Sequence, residues 1–162
     1  FYINNYMATL TTNKNFLSPV GFQLKINSNE YANLEYFCVG INLPGLSIAS
    51  VDVPYKGANA GFTGDRIIFD DLSIRCNITE DMENYIETFQ WIHNIAQNNN
   101  PESFKEDATL LILNSHNNVT KEIKFNGIYP INMAAVEFDS QAESVEFVQM
   151  DITFGYTNFE IT

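Results

Sequence analysis

Basic residues are scarce in this sequence. Of its 162 residues only 8 are Lys or Arg, against 20 Asp or Glu, which gives a formal net charge of −12. A protein that binds nucleic acid needs a surplus of cationic side chains to displace counterions from the phosphates. The composition therefore excludes a general nucleic-acid binder, and DNA near this surface is expected to be repelled.

The sequence also lacks long apolar runs. No stretch approaches the roughly 18 uninterrupted apolar residues of a membrane-spanning helix, and the first residues lack the basic and apolar blocks of a signal peptide. We therefore expect a soluble protein that is neither exported nor bound to a membrane. Phe1 stands where an initiator Met is expected, so we also expect at least one preceding residue to be missing.

Residues that build metal or redox sites are few. Cys38 and Cys76 lie among apolar neighbours without the short paired spacing of a zinc site, which predicts buried free thiols. The two histidines, His93 and His116, have no Cys or carboxylate at ligand spacing. We predict no metal and no cofactor.

Two motifs invite a catalytic interpretation, and neither supports one. The glycine-rich segment 57–64 is followed by no Lys-Ser/Thr pair and leads into an apolar run, which predicts a flexible surface loop over 54–66. Asp65, Asp70 and Asp71 form the densest carboxylate cluster, but Arg66 lies between them. An ion pair or turn hydrogen bonds explain this cluster, and we predict no catalytic residues.

Alternation of apolar and polar residues predicts a mostly β protein. Period-two patterns run over residues 20–26, 72–78 and 148–156, as in strands with one buried face. A further strand is predicted between Leu46 and Tyr55, and its apolar phase slips near Ala49-Ser50, which indicates a bulge or bend. Residues 116–118 are typical of a hairpin turn. Residues 1–19 are Asn-rich, and we predict an N-terminal arm there followed by a single domain over 20–162.

One helix is predicted, over about residues 80–97. Thr79 is the expected N-cap. An apolar stripe recurs at intervals of three and four residues, at Met82, Tyr85, Ile86, Phe89, His93 and Ala96. Trp91 projects from roughly the opposite side, so either the helix is packed on two sides or Trp91 meets another subunit.

The order of several motifs resembles the tail tube proteins of contractile-tailed bacteriophages. The segment 64–74 contains a Gly-Asp-Arg and a Phe-Asp-Asp leading into a strand, and 119–132 contains a Thr-Lys-Glu, a glycine and an aromatic-Pro step. Leu43-Pro44-Gly45, the helix and a closing alternating strand that ends at Tyr156 follow the same order. The resemblance covers roughly residues 16–157.

This resemblance implies a fold, a function and partners. The expected fold is a β-sandwich or small barrel with one flanking helix. The expected function is that of a structural, non-enzymatic subunit, six copies of which close into rings that stack into a hollow tube for DNA. The implied partners are further copies of the chain, a tail sheath, a baseplate tube-initiator, a tape-measure protein and DNA in transit. The subunit is expected in the virion tail, and in the host cytoplasm during assembly.

Two sets of residues are predicted to serve such an assembly. The interface set is Pro54, Lys56, Phe62, Asp65, Arg66, Asp70, Asp71 and Trp91. The lumen set consists of outward-facing strand residues and one nearby carboxylate: Gln23, Lys25, Arg75, Glu146 and Asp151.

Alternative functions are a baseplate tube-initiator, a tube subunit of a bacterial injection system and, in a different class, a β-sandwich carbohydrate-binding module or a glycosidase using the Asp cluster.

Overall fold

A computed structural model describes residues 11–143 and 146–162. The first ten residues of the predicted arm lie outside this range. Residues 11–20 are exposed and form no helix or strand.

The elements follow one another as a β-rich chain with two helices in the described residues. The strands and α-helices are β1 (Phe22–Ile26), α1 (Ala32–Tyr36), β2 (Cys38–Asn42), β3 (Leu46–Tyr55), β4 (Ala58–Phe69), β5 (Leu72–Asn77), α2 (Glu83–Gln97), β6 (Glu106–Leu113), β7 (Val119–Met133), β8 (Gln149–Gly155) and β9 (Asn158–Ile161). Short 3-10 helices lie at Asn29–Tyr31 and Pro101–Phe104.

The strands other than β3 and β4 form two facing layers that share the long strand β7. Their order is β1, β6, β7, β8, β5, β2, with β9 beside β7 and all pairs antiparallel. The first part of β7 pairs with β6 and β9 and its last part with β8, and Gly127 at the change of partner has a φ of 64°. Leu24 and Phe125 from one layer meet Ile74 and Phe154 from the other in a single core. The mostly β fold is thus confirmed.

The predicted alternation is also confirmed. In β5 the side chains of Leu72, Ile74 and Cys76 are buried, while Arg75 is exposed. β1 and β8 show the same pattern. The predicted turn at 116–118 joins β6 to β7, with Asn117 at a φ of 58°, which Asn tolerates better than most residues.

The buried face of α2 differs from the predicted apolar stripe. The helix begins at Glu83, whose backbone N–H donates to Thr79 Oγ1 over 3.0 Å. Its buried residues are Asn84, Thr88 and Trp91, at helical spacing. Phe89 of the predicted stripe is 50% exposed. The stripe prediction is wrong because the helix packs on the core with the side that contains Asn84, Thr88 and Trp91, and the two polar side chains there donate to the Asn77 and Asn84 carbonyls.

Trp91 belongs to the core of the subunit. Its ring stacks on Tyr31 with centroids 4.0 Å apart and also contacts Phe154. Its Nε1–H donates to the Phe104 carbonyl over 2.7 Å, and the residue is only 1% exposed. Burial of both the ring and its polar atom removes Trp91 from the predicted interface residues.

Candidate assembly surfaces

Strands β3 and β4 form a two-stranded ribbon that is separate from the main sheet in the described residues. The prediction of a flexible loop over 54–66 is wrong, since these residues belong to the ribbon and its turn. Lys56 and Gly57 connect the strands with φ values of 44° and 85°, the conformation of a two-residue type I′ turn. The glycines and alanines in β4 hid the strand because they carry no apolar alternation.

The distal part of the ribbon has one apolar and one polar face. Cross-strand partners share a face, so the register places Val51 with Phe62 and Val53 with Ala60 on one side. Ser50 with Thr63 and Asp52 with Gly61 lie on the other side. The apolar side is open to solvent, with Val51 55% and Phe62 59% exposed.

A bulge bends the ribbon at its middle. The pairing register shifts between Ile48 and Ser50, which confirms the predicted irregularity at this position. Gly64 lies opposite, and a Cβ at this residue would overlap the carbonyl oxygen of Ala49. The close approach of the two strands at the bulge therefore requires glycine at position 64.

The end of the ribbon next to the domain, residues 69–71 and called the neck below, is held to the domain by an aromatic cluster. The Phe69 ring packs edge-on against Phe159 and Tyr156, with centroids 5.3 and 6.1 Å away. The Tyr156 hydroxyl donates to the Asp70 carbonyl over 2.6 Å. Burial, followed by the charges of Asp70 and Asp71, raises the pKa of Tyr156 to about 12, so the hydroxyl keeps its proton as a donor even in strongly alkaline solution.

The predicted interface residues other than Trp91 all lie on this ribbon or at its neck: Pro54, Lys56, Phe62, Asp65, Arg66, Asp70 and Asp71. Every one of them is exposed.

The predicted ion pair of Arg66 is absent from the described residues, where the salt bridges are Arg75–Asp151, Lys105–Glu102 and Lys124–Asp107. An extended ribbon holds Arg66 away from the aspartates at the neck.

The predicted lumen residues divide between two surfaces. Gln23 and Lys25 lie on the outer face of the layer that contains β1, whereas Arg75 and Asp151 lie on the outer face of the β5–β8 layer. Glu146 is an exposed residue in the connection before β8. Because the two layers enclose one core, their outer faces point in different directions, and a single channel wall cannot use both.

The outer face of β5 and β8 carries little net charge. Arg75 Nε lies 2.8 Å from Asp151 Oδ1, and this carboxylate raises the pKa of Arg75. The neighbouring cross-strand pairs are uncharged: Ser73 with Thr153 and Asn77 with Gln149. The face therefore presents short polar groups and one neutralised ion pair.

Negative charge is concentrated at the end of the domain where α2 begins. Residues 76–104 and 134–148 contain acidic residues and no Lys or Arg. Between them lies an open groove of about 580 Å³, lined by Phe37, Met82, Phe138 and Phe147 and flanked by Glu80 and Glu146, among others. This combination of an apolar groove and an acidic rim suits an apolar segment with basic flanks.

Two polar residues that the sequence analysis missed fix α2 in place. The buried Asn84 donates from Nδ2 to the Asn77 carbonyl over 2.6 Å, which links the helix to the end of β5. Glu87 accepts from Asn33 Nδ2 at 2.7 Å and from the Leu34 backbone N–H at 3.1 Å. The spacing of Asn84, Thr88 and Trp91 at intervals of four and three residues is the sequence signal for a shared helix face, and their burial is visible only in the structure.

No helix within 11–143 and 146–162 has the length and apolar character needed to cross a bilayer. The same residues contain no group of three or more His, Cys, Asp or Glu side chains placed to hold a metal ion.

Comparison with known proteins identifies the family. The sequence model of a protein family, described as phage tail tube protein, matches residues 2–162 of the chain. The chain belongs to the phage tail tube protein family. A curated relative, the tail tube protein of Serratia phage KSP90, is 31% identical over 110 residues. The match spans 64% of this chain and 62% of that relative. The family match favours a structural tail tube subunit over a carbohydrate-binding module.

Solved structures share the fold. A chain of the sheath–tube complex of the PVC extracellular contractile injection system matches with a TM-score of 0.66 at 15% identity, covering 95% of this chain and 99% of that one. A chain of the anti-feeding prophage cap gives 0.71 at 13% identity and covers 98% of both chains. Hcp1 from Flavobacterium johnsoniae gives 0.51 at 14% identity, covering 90% of this chain and 94% of that one.

Proposed function

We propose that this tail tube protein polymerises as stacked rings of six subunits into a hollow tube through which DNA passes during ejection. The observation that carries the proposal is the β3–β4 ribbon, whose apolar side is exposed along its distal part. An isolated two-stranded hairpin is at best marginally stable in water. A neighbouring subunit that covers the apolar side would both stabilise the ribbon and link the copies.

The neck supports this role by giving the ribbon a firm base. Phe69 is packed in the aromatic cluster and the Asp70 backbone N–H donates to the Gly45 carbonyl over 3.0 Å. A load on the ribbon is therefore passed to the domain through packed side chains and not through a loose loop.

For the channel wall we propose the outer face of β5 and β8. Its hydroxyl and amide groups and its neutralised Arg75–Asp151 pair offer DNA phosphates no row of free cations, so DNA would slide without adhering. Lys25 and Lys124 on the other outer face are less suited to this wall. This choice replaces the expectation that both surfaces contribute to the lumen.

The acidic end of the domain, with the groove between Glu80 and Glu146, is then available to partners outside the tube. We assign it to the tail sheath, while the tube-initiator and tape-measure proteins meet the tube at its end and in its channel. The role is structural and non-enzymatic, and assembly takes place in the host cytoplasm.

Matched charge substitutions on the two sides of the ribbon test the proposal. Val53→Asp places a charge on the apolar side, and Thr63→Asp places the same charge on the polar side. Both positions are exposed in the subunit, so neither change should alter its circular dichroism. In negative-stain microscopy and sedimentation, we expect long tubes from the wild type and from Thr63→Asp, and none from Val53→Asp.

Tubes of normal length from Val53→Asp would contradict the role of the apolar side, and a wild type that remains a discrete small species would contradict the tube function itself.

The channel wall is tested separately by labelling assembled tubes. In a Cys38→Ser background, Ser73→Cys and Lys25→Cys place single reactive thiols on the two outer faces. A polyethylene-glycol maleimide too large to enter the channel should label Lys25→Cys in tubes and dispersed protein, but Ser73→Cys only in dispersed protein. The reverse pattern would assign the channel to the β1 face.

A further inference from the structure

Cys38 and Cys76 are direct cross-strand partners between β2 and β5. The Asn77 backbone N–H donates to the Phe37 carbonyl over 3.1 Å, which pairs the strands next to the cysteines, and the register shifts just beyond them, between Cys38 and Gly40. Opposing Cα atoms of antiparallel strands lie about 4.5–5.5 Å apart. That separation lies within the range that a disulfide spans.

In this structure the Cys38 thiol donates to the Gly40 carbonyl over 3.4 Å and the Cys76 thiol to the Leu34 carbonyl over 3.7 Å. The neighbouring Cys76 thiol lowers the pKa of Cys38, whereas the Cys38 thiol, followed by burial, raises the pKa of Cys76. The lower pKa makes Cys38 the stronger candidate for the thiolate nucleophile.

Access follows the same asymmetry. Cys76 is fully buried, whereas Cys38 is partly exposed and lines an open surface groove with Pro19, Phe22 and Tyr36, among others. A small oxidant can therefore reach Cys38 first and Cys76 only through Cys38.

We propose that Cys38 and Cys76 form an intrachain disulfide when the protein meets a small disulfide oxidant. The Cys38 thiolate attacks the oxidant, forming a mixed disulfide and releasing one small thiolate. Cys76 then attacks the Cys38 sulfur, forming the protein disulfide and releasing the second small thiolate. The protons of the two protein thiols are taken up by the two leaving thiolates, and the oxidant is reduced to two small thiols.

The bond would close a loop that contains the whole β3–β4 ribbon, because the ribbon lies between residues 38 and 76. It would also fix β2, the terminal strand of the main sheet order, to β5. The reducing cytosol keeps the thiols free, so under the proposed function the disulfide would form only in released particles. The chemistry itself does not depend on tube formation.

The test uses the purified full chain with oxidised glutathione as the probe. We expect loss of both free thiols, a Cys38–Cys76 linked peptide in non-reducing mass spectrometry, and a rise in Tm of about 5–10 °C that dithiothreitol reverses. Cys38→Ser should show neither the linked peptide nor the rise.

Three results would overturn the proposal: two thiols that stay reactive after unfolding of the treated protein, a glutathione adduct on Cys38 that never resolves, or a disulfide joining two chains. A matched Cys38→Ala variant that shows the same rise in Tm on treatment would also overturn it.

Discussion

Replacing Trp91 with Phe should destabilise the subunit before any effect on assembly. The substitution removes the donor to the Phe104 carbonyl and part of a ring stacked on Tyr31. Leaving the partly buried Phe104 carbonyl without its donor costs about 1–3 kcal/mol. The cavity left by the smaller ring adds on the order of 1 kcal/mol.

The expected loss is therefore about 2–4 kcal/mol in the free energy of unfolding, or a fall in Tm of roughly 5–15 °C for a chain of this size. The assay is urea denaturation of dispersed subunit followed by circular dichroism, since the substitution removes the sole tryptophan. Phe89→Ser is the matched control, because Phe89 lies on the exposed side of the same helix. A Trp91→Phe subunit as stable as the wild type, or a larger loss in Phe89→Ser, would refute the assignment of the two helix faces.

Two further predictions concern the ribbon and the pH dependence of folding. Gly64→Ala should abolish tubes in negative-stain microscopy while leaving the domain folded, because its Cβ would overlap the Ala49 carbonyl. Gly61→Ala is the control and should assemble normally, since its Cβ has only an ordinary contact. Equal assembly of both variants would contradict the bulge argument. Glu106 has a raised pKa because of burial and the neighbouring charges of Glu30 and Asp107. The charged form of Glu106 is thus disfavoured in the folded state. The fold is most stable when Glu106 is protonated, below its ordinary pKa, and this stability is lost as the pH rises through the raised pKa. Glu106→Gln should therefore raise Tm relative to the wild type at pH 7 and lose this advantage near pH 4, and a pH-independent difference would contradict the assignment.

The sequence predicted the elements that have one buried face. The side chains of β1, β5 and β8 alternate between core and solvent, and the sequence shows this as alternation of apolar and polar residues. The alternation between Leu46 and Tyr55 also predicted β3 and its bulge near Ala49. The second ribbon strand, β4, was missed because its glycines and alanines carry no apolar alternation.

The helix was placed correctly and oriented wrongly. Ile86 and Phe89 form an apolar stripe, and periodicity alone assigns such a stripe to the core. The core side instead contains Asn84 and Thr88, whose polar atoms are satisfied by the Asn77 and Asn84 carbonyls. Composition cannot reveal hydrogen bonds that depend on the tertiary arrangement, and the same limit hid the opposition of the two cysteines.

The long strand β7 has a mechanical consequence. One uninterrupted stretch of backbone belongs to both layers of the sandwich, so the layers cannot slide past each other without breaking its ladders on both sides. The subunit should therefore respond to force as a stiff block. In a tube under axial compression or bending, the compliance would then reside in the contacts made by the ribbons between blocks. Flexural rigidity would become a property of the joints, adjustable by substitutions at the ribbon without altering the domain.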